Sequence, residues 1–251
     1  MKLLLIQSLP WVPALSGAAK ANRVLMAGLA GRGHECKAVA TASVATPGEE
    51  VFRCEGVEVH ALADRRQLRQ VALAHIRAMA PDWVLVSSED PGQELLEAAL
   101  EAAPERVIYL VLTPLHLPVG SLSLAPSERR TELIRRCAGV LTISRYLQDS
   151  MRRFGGVEST LIHFPIYGEG PFPLLGHFDR GYVTLVNPCD YKGLPIFLAL
   201  ARALPDVELA AVPTWGTTEA DRAALASLPN VTLLPPAEDI GEILARTRVL
   251  L

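Results

Sequence analysis

Short apolar runs that alternate with segments of helical periodicity are the feature of this sequence that most constrains its fold. Strand candidates before residue 164 lie at residues 3–6, 36–40, 57–61, 83–86, 107–112, 139–143 and 160–163. Helix candidates between them lie at residues 18–32, 66–79, 92–103, 129–136 and 145–154. Strands and helices that alternate at this spacing predict an α/β fold with a parallel, doubly wound, Rossmann-like sheet.

The alternation stops at residues 164–180, which contain several prolines and glycines and no periodicity, so this stretch is predicted to be a linker. It restarts with strand candidates at residues 182–186, 208–212, 231–234 and 248–251 and helix candidates at residues 194–204, 219–228 and 240–246. We therefore expect an N-terminal domain at residues 1–163 and roughly half of a second Rossmann-like domain at residues 181–251. The last apolar run stops inside a strand candidate, which is typical of a fragment.

Composition excludes several classes of protein. Half of the 251 residues are hydrophobic and the formal net charge is −3, which supports a globular core and argues against nucleic acid as a partner. The first apolar run ends at Gln7, too short for a signal peptide or a stable membrane span. The four cysteines form no CxxC pair, and no histidine shows ligand spacing, including His34, His60, His75, His163 and His177. We expect reduced thiols, a cytoplasmic protein and no metal site.

The loop after the first strand lacks the GxGxxG fingerprint, which disfavours a nicotinamide cofactor. Ser16 and Gly17 stand just before a helix, whose free N–H groups suit a phosphate. The simpler interpretation, which the loop alone favours, is a plain connection in which Ser16 caps the helix.

Two loops of the second half follow strand candidates. Lys192 and Gly193 end the stretch after residue 186, and a lysine beside a helix start suits a diphosphate, although most lysines are surface residues. Trp215 and Gly216 lie in the loop after residue 212, where the indole either contacts a nucleotide or fills a gap in the packing while Thr218 caps the next helix.

Polar residues also follow two strand candidates of the first half. His116 lies in the loop after residue 112 and is a candidate base, with a structural or solvent-facing histidine as the alternative. Glu89 and Asp90 follow residue 86; they either orient a sugar hydroxyl or, in the case of Asp90, cap a helix.

Several segments, taken in order, resemble the retaining glycosyltransferases of family 4, in particular the branch found beside natural-product assembly clusters. The matching stretches are residues 8–23, 32–35, 117–120, 144–147, 186–189 with 192–193, 196–201, 212–218 and 228–231. Single motifs are weak, whereas their order and spacing together are fairly specific. The resemblance covers nearly the whole chain.

The resemblance implies a GT-B fold, in which the N-terminal domain holds a small-molecule or lipid acceptor and the C-terminal domain holds a nucleoside-diphosphate sugar. It implies that Lys192 neutralises the departing diphosphate and that Gly17 lets the backbone approach the transferred sugar. The other substrate-binding candidates are Asn187, Gly193, Trp215 and Gly216, and no cofactor is expected. His116 is the catalytic candidate.

Three departures from the family pattern matter. Asn187 stands where relatives carry an arginine, and Leu112 stands where many carry a histidine, with His116 four residues later. The family's Glu-x7-Glu pair would fall beyond residue 251. The alternative to a glycosyltransferase is thus a truncated or degenerate binding module without catalysis, and a sugar-nucleotide epimerase is a weaker third. We expect these 251 residues to be inactive, and either to behave poorly in solution or to self-associate through the unfinished strand edge near Leu251.

Overall fold

The computed structural model describes residues 1–43, 48–168 and 170–251. The chain divides into two compact units, an N-terminal unit at Met1–Gly168 and a C-terminal unit at Glu169–Leu251. Among the described residues, no helix combines the length and the apolar character needed to cross a membrane.

The N-terminal unit is built on one sheet of eight strands. In chain order the strands are β1 (Lys2–Pro10), β2 (Glu35–Thr41), β3 (Glu49–Cys54), β4 (Val57–Leu62), β5 (Trp83–Ser87), β6 (Val107–Val111), β7 (Gly139–Thr142) and β8 (Thr160–Leu161). The helices are α1 (Gly17–Ala30), α2 (Leu68–Met79), α3 (Glu94–Ala102), α4 (Glu128–Arg135) and α5 (Arg145–Ser150). The sheet order is β3-β4-β2-β1-β5-β6-β7-β8.

Both faces of this sheet are covered, which explains the continuous apolar runs of its central strands. Along β1, Leu4 and Ile6 pack into the core beneath α2 and α3, whereas Leu3 and Leu5 pack into the core beneath α1. Successive side chains of a strand point to opposite faces, so a strand buried on both sides reads as an unbroken hydrophobic segment. The predicted doubly wound arrangement is confirmed.

Strand β3 was not predicted from the sequence. It pairs with β4 alone, in antiparallel orientation, and lies at the edge of an otherwise parallel sheet. Its residues are mostly exposed, including Val51 at 56%. A charged, half-exposed edge strand carries neither the alternation nor the apolar run by which strands are recognised.

The C-terminal unit contains a second parallel sheet in the order β11-β10-β9-β12. Its strands are β9 (Tyr182–Val186), β10 (Leu209–Val212), β11 (Val231–Leu233) and β12 (Thr247–Leu250), and its helices are α6 (Leu194–Ala203), α7 (Glu219–Ala226) and α8 (Gly241–Leu244). Phe197 of α6 is 1% exposed and packs with Leu185 and Leu209 on one face of the sheet. The fold class is therefore α/β with two parallel sheets, as predicted.

In each sheet the strands that follow the first one are added first on one side of it and later on the other side. β1 lies between β2 and β5, and β9 lies between β10 and β12. Ligands of open α/β sheets bind outside the carboxyl ends of the strands at such switch points. The loops that follow β1, β5 and β9 are therefore where a site is expected. The limits inferred from the sequence, a first domain at residues 1–163, a linker at residues 164–180 and a second domain at residues 181–251, stay a prediction.

Candidate functional site

The loops after β9 and β10 are joined by a side-chain hydrogen bond. The strand register sets Val186 beside Val212, so the residues that follow them lie side by side. Asn187 donates its backbone N–H to the Val212 carbonyl at 2.9 Å, and its side-chain Oδ1 accepts from the Gly216 N–H at 3.0 Å. Asn187 is 6% exposed. Two of the predicted site residues, Asn187 and Gly216, are thus in direct contact.

This contact leaves no room for a side chain at Gly216. A Cβ built there would lie 2.9 Å from Asn187 Oδ1 and 3.1 Å from Cys189 Sγ. Asn187 itself has a φ of 59°, in the left-handed region that asparagine tolerates better than most residues. An arginine, the family's usual residue here, would have to adopt the same backbone and could not reproduce the short amide contact.

Lys192 lies on a short 3₁₀ turn, Asp190–Lys192, between β9 and α6. Its ammonium group is exposed and, in the part of the chain that the structure describes, has no hydrogen-bond or ion-pair partner. Gly193 follows with a φ of 87°, a conformation that favours glycine and turns the chain into α6.

The start of α6 offers fewer N–H donors than the sequence suggested. Gly193 donates to the Asp190 carbonyl and Leu194 donates to the Cys189 carbonyl, at 3.0 and 3.1 Å, and Pro195 has no N–H. The positive end of the helix dipole remains, but a direct contact to an anion here falls mainly to Lys192.

Tyr191 and Trp215 form an exposed aromatic pair beside this loop. Their ring centroids are 6.2 Å apart, and the residues are 53% and 63% exposed. Trp215 therefore does not fill a gap in the core. The alternative role proposed for Thr218 is found, because Thr218 and Asp221 form a capping box at the start of α7. Tyr191 was not singled out from the sequence, although its place after a strand end was a usable signal.

The loop after β1 has the simple local structure that the sequence favoured. Ser16 Oγ accepts from the Ala19 N–H at 3.1 Å and caps α1. Gly17 begins the helix, and a Cβ built on it would have no heavy atom within 4 Å. Packing within the protein therefore does not require glycine at this position, which leaves open space in front of the helix.

Behind this loop lies a buried polar network that sequence reasoning missed. Asn22 of α1 donates to Gln7 Oε1 at 2.7 Å and lies 3.0 Å from Ser87 Oγ, and all three residues are fully buried. Gln7 ends the apolar part of β1 and Ser87 ends β5, so the network spans the switch point. The available signal was Asn22 itself, which falls on the apolar face of the predicted helix.

His116 and Glu89 come together after β6 and β5. His116 Nδ1 lies 3.2 Å from Glu89 Oε2, and the side chains are 27% and 11% exposed. The angle is not that of a hydrogen bond, and Glu89 Oε1 has no partner among the described residues. His116 is therefore neither in an apolar core nor freely solvated; it lies at the carboxyl edge of the sheet beside a carboxylate.

Asp90 is not the N-cap residue of α3, which is Gln93, but its side chain accepts a hydrogen bond from the first turn of that helix and so does part of the work of a cap. It is 7% exposed, and its Oδ2 accepts from the Leu95 N–H of α3 at 2.8 Å. Burial raises the pKa of Asp90, and the Leu95 hydrogen bond opposes that shift. A pocket of about 290 Å³ adjoins it, lined by Ser8, Arg65, Arg66, Leu68, Arg69, Asp90, Gly92, Glu94 and Leu95.

The predicted site residues thus fall into two sets. Asn187, Lys192, Gly193, Trp215 and Gly216 surround the carboxyl ends of β9 and β10 in the C-terminal unit, whereas Gly17 and His116 follow β1 and β6 in the N-terminal unit. Each set lies at the carboxyl edge of its own sheet, where ligands of such folds bind.

Comparison with solved structures identifies the fold. The sucrose-phosphate synthase (tll1590) from Thermosynechococcus elongatus matches all of this chain and 74% of its own, with a TM-score of 0.71 and 15% identity. WaaG, a glycosyltransferase involved in lipopolysaccharide biosynthesis, matches 99% of this chain and 74% of its own, with a TM-score of 0.62 and 12% identity. The catalytic domain of starch synthase IV from Arabidopsis thaliana, bound to ADP and acarbose, matches 99% of this chain and 76% of its own, with a TM-score of 0.61 and 10% identity.

These likenesses show that the chain has the GT-B-like α/β fold of glycosyltransferases. At this level of identity they show the fold alone. No protein-family model matches the sequence, and no curated protein sequence matches it.

Proposed function

We propose that this protein is a glycosyltransferase that moves a sugar from a nucleoside-diphosphate sugar to a small-molecule or lipid acceptor, with retention of configuration. The observation that carries the proposal is the Asn187–Gly216 hydrogen bond, which holds the Lys192 loop at the carboxyl end of β9 in a GT-B-like fold. We assign acceptor binding to residues 1–163 and donor binding to residues 181–251. Retention rests on the sequence resemblance.

Lys192 is the residue to which we assign the leaving diphosphate. Negative charge develops on the diphosphate as the glycosidic bond breaks, and a fixed cation beside it stabilises the transition state. Lys192 has no carboxylate to neutralise it among the described residues, so its full charge is available to a ligand. Gly193 lets the chain turn sharply after the lysine and into α6.

Tyr191 and Trp215 supply exposed aromatic faces beside the lysine. Stacking of a nucleobase on an aromatic side chain contributes about 1–3 kcal/mol and tolerates different bases. The two rings lie 6.2 Å apart and tilted by 35°, so one of them suffices to hold a base while the other flanks the ribose or diphosphate. Asn187 and Gly216 set the position of Trp215 through their hydrogen bond.

The acceptor side of the proposal rests on the N-terminal unit. His116 Nδ1 lies 3.2 Å from Glu89 Oε2, so the carboxylate is close enough to act on the imidazole. We propose that His116 contacts the reacting acceptor hydroxyl and that Glu89 orients and polarises the imidazole. Gly17, which has open space in front of it, is proposed to let the transferred sugar approach the start of α1.

The four cysteines are free thiols, two of them buried, and the proposed cytoplasmic location rests on them.

Calorimetric titration with a panel of nucleoside diphosphates and their sugars tests the donor assignment. The Lys192→Ala variant should lose about 10- to 100-fold in affinity, the equivalent of roughly 1.5–3 kcal/mol for a charge-assisted contact. Arg202→Ala is the matched control, because it removes one positive charge from the opposite end of α6 and should leave affinity unchanged.

A transfer assay then separates catalysis from binding alone. Release of nucleoside diphosphate in the presence of acceptors, lowered at least tenfold in His116→Ala at unchanged donor affinity, supports the enzyme. Donor binding with no release by any acceptor or by water is what the sequence leads us to expect of these 251 residues, and the same result with a chain that also carries the family's Glu-x7-Glu segment would favour the non-catalytic binding module. Equal affinity of the wild type and Lys192→Ala for every diphosphate would remove Lys192 from the site.

A further inference from the structure

A histidine–glutamate cluster lies on the N-terminal unit, at the edge of its sheet. Glu49 begins β3, His60 lies in β4 and His75 lies in α2. Their potential ligand atoms all fall within 4.8 Å of one another. Local sequence patterns do not reveal this cluster, because its members are 11 and 15 residues apart and lie on three different elements.

The fold places these side chains on one face of the sheet. In the antiparallel β3–β4 pair His60 lies opposite Val51, so Glu49, two residues before Val51, is its diagonal neighbour on the same face. Helix α2 packs over that face, and the His60 and His75 ring centroids are 4.1 Å apart. His60 Nδ1 and His75 Nε2 lie 2.5 and 3.6 Å from the same oxygen, Oε1 of Glu49.

Glu58 sets the orientation of the His60 ring. It forms an ion pair with Lys37 at 2.6 Å, and its Oε1 lies 3.1 Å from His60 Nε2. An ionised Glu58 accepts a hydrogen bond from Nε2–H, and in that tautomer the lone pair of Nδ1 lies on the Glu49 side of the ring, where a metal ion can bind it. A carboxylate that holds the far nitrogen of a histidine is the usual outer partner in histidine–zinc sites.

We propose that Glu49, His60 and His75 form a binding site for a divalent transition-metal ion, with zinc as the ion that fits best. Two imidazole nitrogens and one carboxylate oxygen are ligands that Zn²⁺ prefers, and a water would complete the tetrahedron. Ligands at about 2.0–2.2 Å from zinc stand roughly 3.4 Å apart. Glu49 Oε1 lies 2.5 Å from His60 Nδ1 and 3.6 Å from His75 Nε2, so a small movement of the half-exposed Glu49 side chain away from His60 makes room for the ion.

The bound ion would fasten the edge strand β3 to β4 and α2. Among the described strands, β3 has only β4 as a neighbour, so a cross-link to the helix adds a second attachment. A ligand that binds only the folded state stabilises it in proportion to the logarithm of its concentration. The site involves none of the individual side chains proposed to contact the donor or the acceptor, and it stands independently of the proposed function.

The alternative occupant of the cluster is a proton. A doubly protonated His60 would bridge Glu49 and Glu58 without any metal, because each ring nitrogen already faces a carboxylate. This arrangement leaves His75 Nε2 without a role beyond its 3.6 Å approach to Glu49. A metal ion engages all three side chains at once.

Metal titration of the chelator-treated chain distinguishes a metal ion from a proton as the occupant of the cluster. We expect one Zn²⁺ to bind per chain in competition with a chromophoric chelator, and Co²⁺ to give the intense visible bands of a tetrahedral site. His75→Ala should lower the affinity at least tenfold, as should Glu49→Gln. His163→Ala, which removes an exposed histidine from the same unit, should leave the affinity unchanged.

The His75→Ala variant replaces a helix residue with a better helix former, so it is expected to fold. Thermal unfolding provides the second readout: Zn²⁺ should raise the Tm of the wild type and of His163→Ala but not that of His75→Ala. Equal affinity of the wild type and His75→Ala, or a Tm that does not respond to Zn²⁺, would overturn the proposal and leave His60 as a protonated bridge.

Discussion

The side-chain oxygen of Asn187 accepts a hydrogen bond from the Gly216 N–H at 3.0 Å, although 29 residues separate them in the chain. Asn187 adopts a left-handed backbone conformation, and Gly216 has no space for a side chain because Asn187 and Cys189 occupy it. The two residues therefore depend on each other, and together they hold the loops that follow β9 and β10.

Gly216→Ala should be destabilising. Its Cβ would stand 2.9 Å from Asn187 Oδ1, closer than side-chain atoms approach, and overpacking of this kind costs about 1–3 kcal/mol. Chemical denaturation measures the loss, and Gly17→Ala is the control for stability, because a Cβ there meets nothing within 4 Å. Equal stability of the two variants would contradict the assigned contact.

The buried network behind the first loop should be sensitive to truncation. Asn22→Ala removes the donor to Gln7 Oε1 and the contact with Ser87 Oγ, both fully buried, and an unsatisfied buried polar group costs roughly 1–3 kcal/mol. Urea unfolding should show this loss with an unchanged m-value. Gly28→Ala in the same helix should instead be neutral or stabilising, and a similar loss in both variants would argue against the network.

Asp90 should make the folded protein less stable as the pH rises, whereas most carboxyl groups with a lowered pKa have the opposite effect. Burial raises its folded-state pKa above the ordinary value of 3.8, with Arg65, Glu94 and Arg130 as the charged neighbours. The folded protein thus holds this proton more tightly than the unfolded chain. The stabilisation that comes from this tighter proton binding is complete below the pKa of Asp90 in the unfolded chain, and it is lost as the pH rises through the pKa in the folded protein.

Asp90→Asn keeps an oxygen that can accept from the Leu95 N–H but cannot titrate. The free energy of unfolding of this variant, relative to the wild type, should therefore increase as the pH rises from acid towards neutral. Denaturation curves over that range measure the difference. A difference that is constant, or that falls with pH, would show that burial does not raise the folded-state pKa of Asp90.

Strand β12 should mediate association between copies of this chain. It pairs with β9 on one side, no described strand covers the other, and Val249, Leu250 and Leu251 are 41%, 53% and 51% exposed. An uncovered apolar edge is a template for strand pairing. Sedimentation equilibrium should show a concentration-dependent dimer that Leu250→Lys weakens, whereas Leu174→Lys, at an exposed leucine outside any strand, should not. If both changes weakened the dimer equally, the edge of β12 would not be the contact between the copies.

Local patterns in the sequence were enough to predict most of the fold. Helix starts at Ser16 and Thr218 follow from residue types that accept hydrogen bonds from the first N–H groups of a helix, and both caps are present. The apolar runs of the central strands reflect burial on both faces of a parallel sheet. Strand β3 was not predicted because an exposed edge strand shows neither a continuous apolar run nor a clear alternation of apolar and polar residues.

The candidate site was predicted less completely, because its contacts join distant parts of the chain. The place of Lys192 after β9 followed from the sequence, since the carboxyl ends of parallel strands are where these folds bind ligands. The pairing of His116 with Glu89 and the use of the first N–H groups of α6 within its own loop required the structure.

The sequence by itself determined the order of the helices and of every strand except β3, the helix caps at Ser16 and Thr218, and the position of the Lys192 loop, because each depends on residues within a few positions of one another. Only the tertiary structure decided that Asn187 meets Gly216, that Asn22 joins β1 to β5, and that Glu49, His60 and His75 converge. Strand register and the packing of α2 on the sheet bring these groups together, and neither can be read from local periodicity.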